Sequence, residues 1–380
     1  MPSPSAPART PLRQRARIGL VASAIGLTLG AVAPLAGAAP SAPAGPPRDL
    51  RDTGLFVAGS VDDIRPGIAS FSPQYPLWSD GASKRRWLWI PAGKAIDASR
   101  PDAWQFPPGT RLWKEFSHQG RRVETRYIER RADGRWTYAA YVWNAEGSQA
   151  LLAPAAGLPG WPVKDAPDGR YDIPAQADCQ ACHEGAAVPV LGAGALQLSP
   201  DRDPLAAHAA PAAPSDVDLR GLVDRGWLRH LPPSLISQPP RIAAASPTER
   251  AALGYLHANC GHCHNDNGTP APVRLRLAQS VATPQAGAQQ VLRTLLELPA
   301  RYRPAGAITD APVIVPGQPE ASALRQRMHS RQPQAQMPPL GTRVADAQGL
   351  ALIDSWIRTH LSARQALAST PTNTLKETPP

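Results

Sequence analysis

Residues 110–144 read TRLWKEFSHQGRRVETRYIERRADGRWTYAAYVWN. Bulky and polar residues alternate along Thr110–His118, Arg122–Arg130 and Arg135–Asn144, and a period of two belongs to strands with one face turned to a core. Asp133-Gly134 supplies the short turn a tight hairpin requires, and Pro107-Pro108-Gly109 marks another turn just upstream. With Lys84–Pro91, these segments predict an antiparallel, sandwich-like all-β domain. Eight of the ten tryptophans fall between Asp52 and Tyr171. Trp87, Trp89, Trp113, Tyr138, Tyr141 and Trp143 read first as strand residues that fill a core. A sugar-stacking or electron-relay surface is the rival reading. The arginines at 85, 86, 111, 121, 122, 126, 130 and 131 are then expected on solvent-facing positions of the same strands.

Downstream of this region all four cysteines fall in two copies of one pattern, Cys179-Gln180-Ala181-Cys182-His183 and Cys260-Gly261-His262-Cys263-His264. Two thiols three positions apart on a helical turn can each add to one vinyl group of a haem, and the adjacent histidine then presents its imidazole to the iron. Two disulfides, a zinc site or a redox dithiol would also use such thiols. None of them explains a histidine directly after the second cysteine both times. The expected cofactors are therefore two covalently attached c-type haems, with His183 and His264 as iron ligands.

A c-type iron commonly takes a sixth ligand, and the chain has three methionines to offer. Met337 lies in the stiff stretch Gln336-Met337-Pro338-Pro339-Leu340-Gly341 and is the choice for the second haem. Met328 falls in an expected helix, where its spacing reads as core packing, and Met1 precedes the export signal. For the first haem no methionine lies between His183 and His264. His118, His208 and His230 are the alternatives, and an open iron is a further one.

Arg9, Arg13, Arg15 and Arg17 precede an uncharged apolar run from Ile18 to about Ala33, and Ala36-Gly37-Ala38 offers the small residues of a signal-peptidase site. The run is too short and too rich in Gly and Ala for a membrane span. A cleaved signal peptide over 1–38 and a periplasmic mature protein without a membrane span are expected. Loss of those four arginines lowers the formal charge from +10 to +6. The remaining basic residues are dispersed and no nucleic-acid-binding motif is present.

Toward the C-terminus, Ser246-Pro247-Thr248-Glu249 carries a helix N-cap signal with Pro at the first position. Further helices are expected at Ala288–Leu298, Glu320–His329 and Asp346–Leu361, and one upstream near Val217–Leu228. The helix before Cys260, the segment Val315-Pro316-Gly317-x-Pro319-x-x-Ser322-x-Leu324, the Met337-Pro338-Pro339 loop and the closing Leu352-Ile353-x-x-Trp356-Ile357 together resemble the class I cytochrome c domain. Tyr75-Pro76-Leu77-Trp78-Ser79-Asp80-Gly81, Phe106-Pro107-Pro108-Gly109-Thr110, Glu124-Thr125-Arg126 and Tyr141-Val142-Trp143-Asn144, followed by two haem motifs, resemble a family of exported bacterial dihaem c-type cytochromes of unassigned function. Composition and patterning divide a multidomain chain into signal peptide 1–38, linker 39–51, β-rich domain 52–171, first haem segment 172–245, a helical domain 246–363 and tail 364–380, and the resemblance implies that 246–363 is an all-α class I cytochrome c domain. Electron transfer with an unidentified redox partner protein is the expected function. A peroxidase-like oxidoreductase with an open first haem is the alternative, and a polysaccharide-binding role for the β-rich region is a third.

Overall fold

Aromatic and β-branched residues at every second position favour extended backbone, because each side chain then meets same-face neighbours on the adjacent strand. In the computed structural model, which describes residues 45–267, 274–303 and 311–361, that pattern forms a sheet. The expected signal peptide and tail lie outside the described residues. The strands are β1 (Ala69–Ser70), β2 (Ser83–Trp89), β3 (Ile96–Asp97), β4 (Arg111–His118), β5 (Arg121–Arg130), β6 (Trp136–Trp143), β7 (Ala150–Leu152), β8 (Leu158–Pro162), β9 (Arg170–Ile173) and β10 (Leu228–Arg229). Six of them make one antiparallel sheet in the order β1-β2-β4-β5-β6-β7. β8 and β9 pair as a hairpin, and β3 pairs in parallel with β10. The β5–β6 turn closes on Arg131 and Arg135, with Gly134 at φ 82°, a backbone region that favours glycine.

The register fixes what each face carries. Trp87, Trp113, Tyr127 and Ala139 stand side by side on one face. Leu50, Leu55 and Phe56 cover it, and the Trp113 indole N–H donates to Thr53 Oγ1 at 2.9 Å. The opposite face is a grid of three rows: Leu88, Leu112, Ile128, Tyr138; then Arg86, Lys114, Arg126, Ala140; then Lys84, Phe116, Glu124, Val142. The first row joins the main apolar cluster, and Phe116, Ala140 and Val142 join a smaller one with Tyr171 and Ile173.

Seven α-helices occur among the described residues: α1 (Gln176–His183), α2 (Leu219–Asp224), α3 (Ser234–Ser237), α4 (Pro247–Asn259), α5 (Pro284–Leu296), α6 (Ala323–His329) and α7 (Ala347–Ser355). A wider, π-helical turn over Trp356–Leu361 continues α7. Ser246 caps α4 by accepting the Glu249 N–H at 3.1 Å, while the Glu249 carboxylate accepts the Ala245 N–H at 2.9 Å. Upstream, the helix expected near Val217–Leu228 ends early at Asp224, and the chain turns through Gly226 at φ 68° into β10.

This architecture corrects the expected fold class. The β-rich region is built on one six-stranded antiparallel sheet with two small two-stranded sheets beside it, and no separate all-α cytochrome domain is present among the described residues. Leu253 and Leu256 of α4, Ile353 of α7, and Trp356 belong to the same apolar cluster as Leu88, Leu112, Ile128 and Tyr138 of the sheet. The Leu350–Ile357 stripe shows that a helix has an apolar face. It does not say whether helices or a sheet cover that face, and here one core serves both.

Candidate functional site

The first motif rides on α1, whose first turn is held by the Ala175 N–H donating to the Asp178 carboxylate at 2.9 Å. Cys179 is buried, Cys182 and His183 are half-buried, and α1 lies against β6. The His183 ring sits 5.2 Å from the Tyr138 ring. His183 Nδ1 lies 2.5 Å from the Pro189 carbonyl oxygen. A carbonyl can only accept, so Nδ1 carries the proton and Nε2 keeps a free lone pair, the arrangement a metal-ligating histidine needs. Burial pushes the imidazole pKa down to about 4, so the ring is neutral near pH 7.

The second motif follows directly from α4. The Cys260 N–H donates to Leu256 O at 2.9 Å and the His264 N–H to Cys260 O at 2.8 Å, so the helical winding continues through the motif. The segment 75–78 straps the end of α4. Trp78 N–H donates to Asn259 Oδ1 at 2.7 Å, and Tyr75 packs on Gly254 so closely that a Cβ there would overlap its ring. His264 Nδ1 is buried without a partner among the described residues. Pro189 stands six residues after His183 and Pro270 six after His264, but residue 270 lies outside the described residues.

Seventy-six residues of chain separate the two motifs, yet they meet. Asn265 Nδ2 donates at 2.9 Å to Gly185 O, just past the first motif, and also to Gly261 O and His262 O. A side chain at Gly185 would crowd the His262 carbonyl at 3.1 Å, so the small residue permits the approach. All four thiols are free. Burial raises every one of them, Cys182 to about 11 and Cys260 to about 12, so the free thiols stay protonated near pH 7. No group of three or more His, Cys, Asp or Glu side chains is placed to hold a bare metal ion among the described residues. A thioether-anchored haem asks each motif for a single nitrogen, and the His183 geometry fits that demand.

The candidate sixth ligands separate by surroundings. Met328 is 6% exposed in the main apolar cluster and packs as expected. Met337 is half-buried, and its N–H donates to Arg327 O at 2.9 Å. The Arg327 guanidinium donates to Ala335 O, and its charge adds to burial in lowering the His264 pKa. One arginine thus borders both the Met337 loop and His264. His208 is bound to both Asp346 oxygens at 2.8 Å and its ring lies 4.7 Å from that of Trp78. His230 faces Asp97 at 3.1 Å and is largely exposed, and His118 packs against Tyr171.

Several features escaped the sequence. His262 is held below its usual pKa, at about 4, chiefly by burial, and its Nδ1 has no partner among the described residues. The expectation that the strand arginines face solvent fails for Arg86, which is 8% exposed, and for Arg126, which shares the face on which α1 sits. Strand parity would have found them. Both stand two residues from an apolar side chain of the main cluster, Leu88 or Ile128, and not in the tryptophan register. No helix among the described residues is long and apolar enough to cross a membrane. Comparison of the chain with known protein families, with curated proteins and with solved structures finds no match.

Proposed function

We propose that this chain is an exported, periplasmic dihaem c-type cytochrome that passes electrons between two covalently attached haems and a redox partner protein. The observation that carries the reading is the pair of motifs in contact, one of them with its histidine already tied through Nδ1 to a backbone carbonyl. Bound haem would supply one-electron chemistry at iron. Cys179 and Cys182 would anchor one group and Cys260 and Cys263 the other, with His183 and His264 as ligands and Met337 opposite His264. The chain's own contribution is position: α1 on the sheet, α4 strapped by residues 75–78, and Asn265 joining the two motifs. The resemblance of the segments around Tyr75, Phe106 and Tyr141 to exported dihaem cytochromes points the same way.

The test is expression with its leader in a host that matures c-type cytochromes, followed by haem staining after denaturation and alkaline pyridine spectra. Two haems per chain are expected, falling to one in Cys179→Ala/Cys182→Ala and to one in Cys260→Ala/Cys263→Ala. A periplasmic protein with no covalent haem overturns the reading. Rapid turnover of peroxide by a reduced two-haem protein would replace electron transfer by catalysis as its role.

A further inference from the structure

The middle row of the sheet face beneath α1 holds three cations in direct register, Arg86 beside Lys114 beside Arg126. Neighbouring strands are ~4.8 Å apart, and like charges set directly opposite one another destabilise a sheet. Among the described residues only Arg126 of this row hydrogen-bonds an acid: Glu124 accepts from it at 2.8 and 3.0 Å, and also from the Tyr171 hydroxyl at 2.9 Å. Lys114 makes no hydrogen bond or ion pair among the described residues. Its ammonium lies 4.8 Å from the Phe116 ring centre. Lys84, in the next row, reaches only the Ala82 carbonyl at 3.0 Å. Arg86 is buried with no hydrogen bond to an acid among the described residues, and only the charge of Asp216, to which it is not bonded, opposes its own. Withdrawing weakly paired charge from water is costly, and desolvation together with the neighbouring cations lowers the pKa of the half-buried Lys114 ammonium despite the opposing charge of Glu124.

The row also has a direction. α1 lies on β6, with His183 over Tyr138. Arg126, bonded to Glu124, is on β5, the next strand, and Lys114 and Arg86, bonded to no acid among the described residues, lie one and two strands farther out. A haem carries its vinyl groups and its two propionate carboxylates on opposite edges. Anchoring the vinyl edge at Cys179 and Cys182 therefore leaves the carboxylates for the far side of the ring.

We propose that this sheet face seats the propionates of the haem held by Cys179, Cys182 and His183, with Lys114 at the centre of the seat and Lys84 and Arg86 beside it. The assignment rests on the haem reading above, and it gives the sheet a purpose: it supplies the counter-charge for the first haem. A cation beside a propionate favours the ferrous form, which carries one positive charge fewer, so removing the cation lowers the midpoint potential.

The experiment uses the full chain matured in the periplasm, as Lys114→Met, Lys114→Arg and Lys84→Met, with haem content from pyridine spectra and both potentials from spectroelectrochemical titration. Lys114→Met is expected to keep two haems and to move the reduction equilibrium of one haem about tenfold toward the ferric form, ~59 mV for a one-electron couple. Lys114→Arg should stay near wild type, and Lys84→Met should shift the same haem in the same sense by less. Wild-type protein without covalent haem refutes the haem reading itself. Two haems whose potentials do not move in Lys114→Met or Lys84→Met overturn the propionate seat and leave the haem reading standing. Should Lys114→Met fail to accumulate, Lys84→Met alone decides.

Discussion

Gly254 sits inside α4, where helix propensity and packing make opposite predictions for substitution by alanine. Propensity alone favours alanine over glycine in a helix interior by about 1 kcal/mol. The structure opposes it, because a Cβ at residue 254 would overlap the ring of Tyr75, which is 2% exposed. The ring cannot yield without moving its hydroxyl, which donates to the Asp203 carboxylate at 3.0 Å. Overpacking costs about 1–3 kcal/mol, and a buried hydrogen bond to a charged group contributes about 1.5–3 kcal/mol. Set against the propensity gain, Gly254→Ala should lose about 2–5 kcal/mol. Urea unfolding followed by tryptophan fluorescence measures this as a lower midpoint at unchanged slope. Adding Tyr75→Leu should recover part of the loss by vacating the space. A Gly254→Ala protein as stable as wild type, or more so, would refute the claim that residue 75 straps the helix leading into the second motif.

Other outcomes follow from the same contacts. Asp346 accepts from Tyr255 Oη and Gly349 N–H at 2.9 Å and pairs with His208, and these contacts outweigh burial in holding its carboxyl below the usual 3.8. Because the folded value lies below the unfolded one, its stabilisation is complete above pH 3.8 and is lost as the pH falls toward the depressed value. Asp346→Asn should cost about 2–4 kcal/mol at pH 7 and flatten the acid limb of a stability-against-pH curve below pH 3.8. A parallel downward shift of the whole curve would contradict the linkage. Met337→Leu should remove the sulfur-to-iron absorption band near the red end of the ferric spectrum and lower one midpoint potential, and an unchanged spectrum would exclude Met337 as a ligand. Gly349→Ala would press on the Tyr255 hydroxyl at 2.5 Å, so calorimetry should find it less stable than wild type despite its helical position.

The strands and their turns were legible because a period of two with Asp133-Gly134 between runs has few other solutions. Helix α4 was legible from Ser246 and Pro247. The partner of each apolar face was not: Trp356 reads the same whether helices or a sheet cover it, and here the cluster that buries it extends to Leu88 and Ile128. At the site, the two CxxCH motifs stand out by their repeated spacing alone, while the contacts that bring them together come from distant chain. Nothing in the local sequence marks Asn265, Pro189 or Lys114. Their roles arise from register and contact between segments, which local sequence does not encode.

The bond from Asn265 to Gly185 spans 80 residues, and it implies an order of assembly. Cys179 is buried in the main core, Cys182 and Cys260 are half-buried, and Cys263 is exposed. If the chain takes haem as proposed, a maturation enzyme must reach Cys179 before α1 docks on the sheet. On that reading modification of Cys179 precedes docking of the motifs, and a variant that folded early around this buried thiol would lose access to the group.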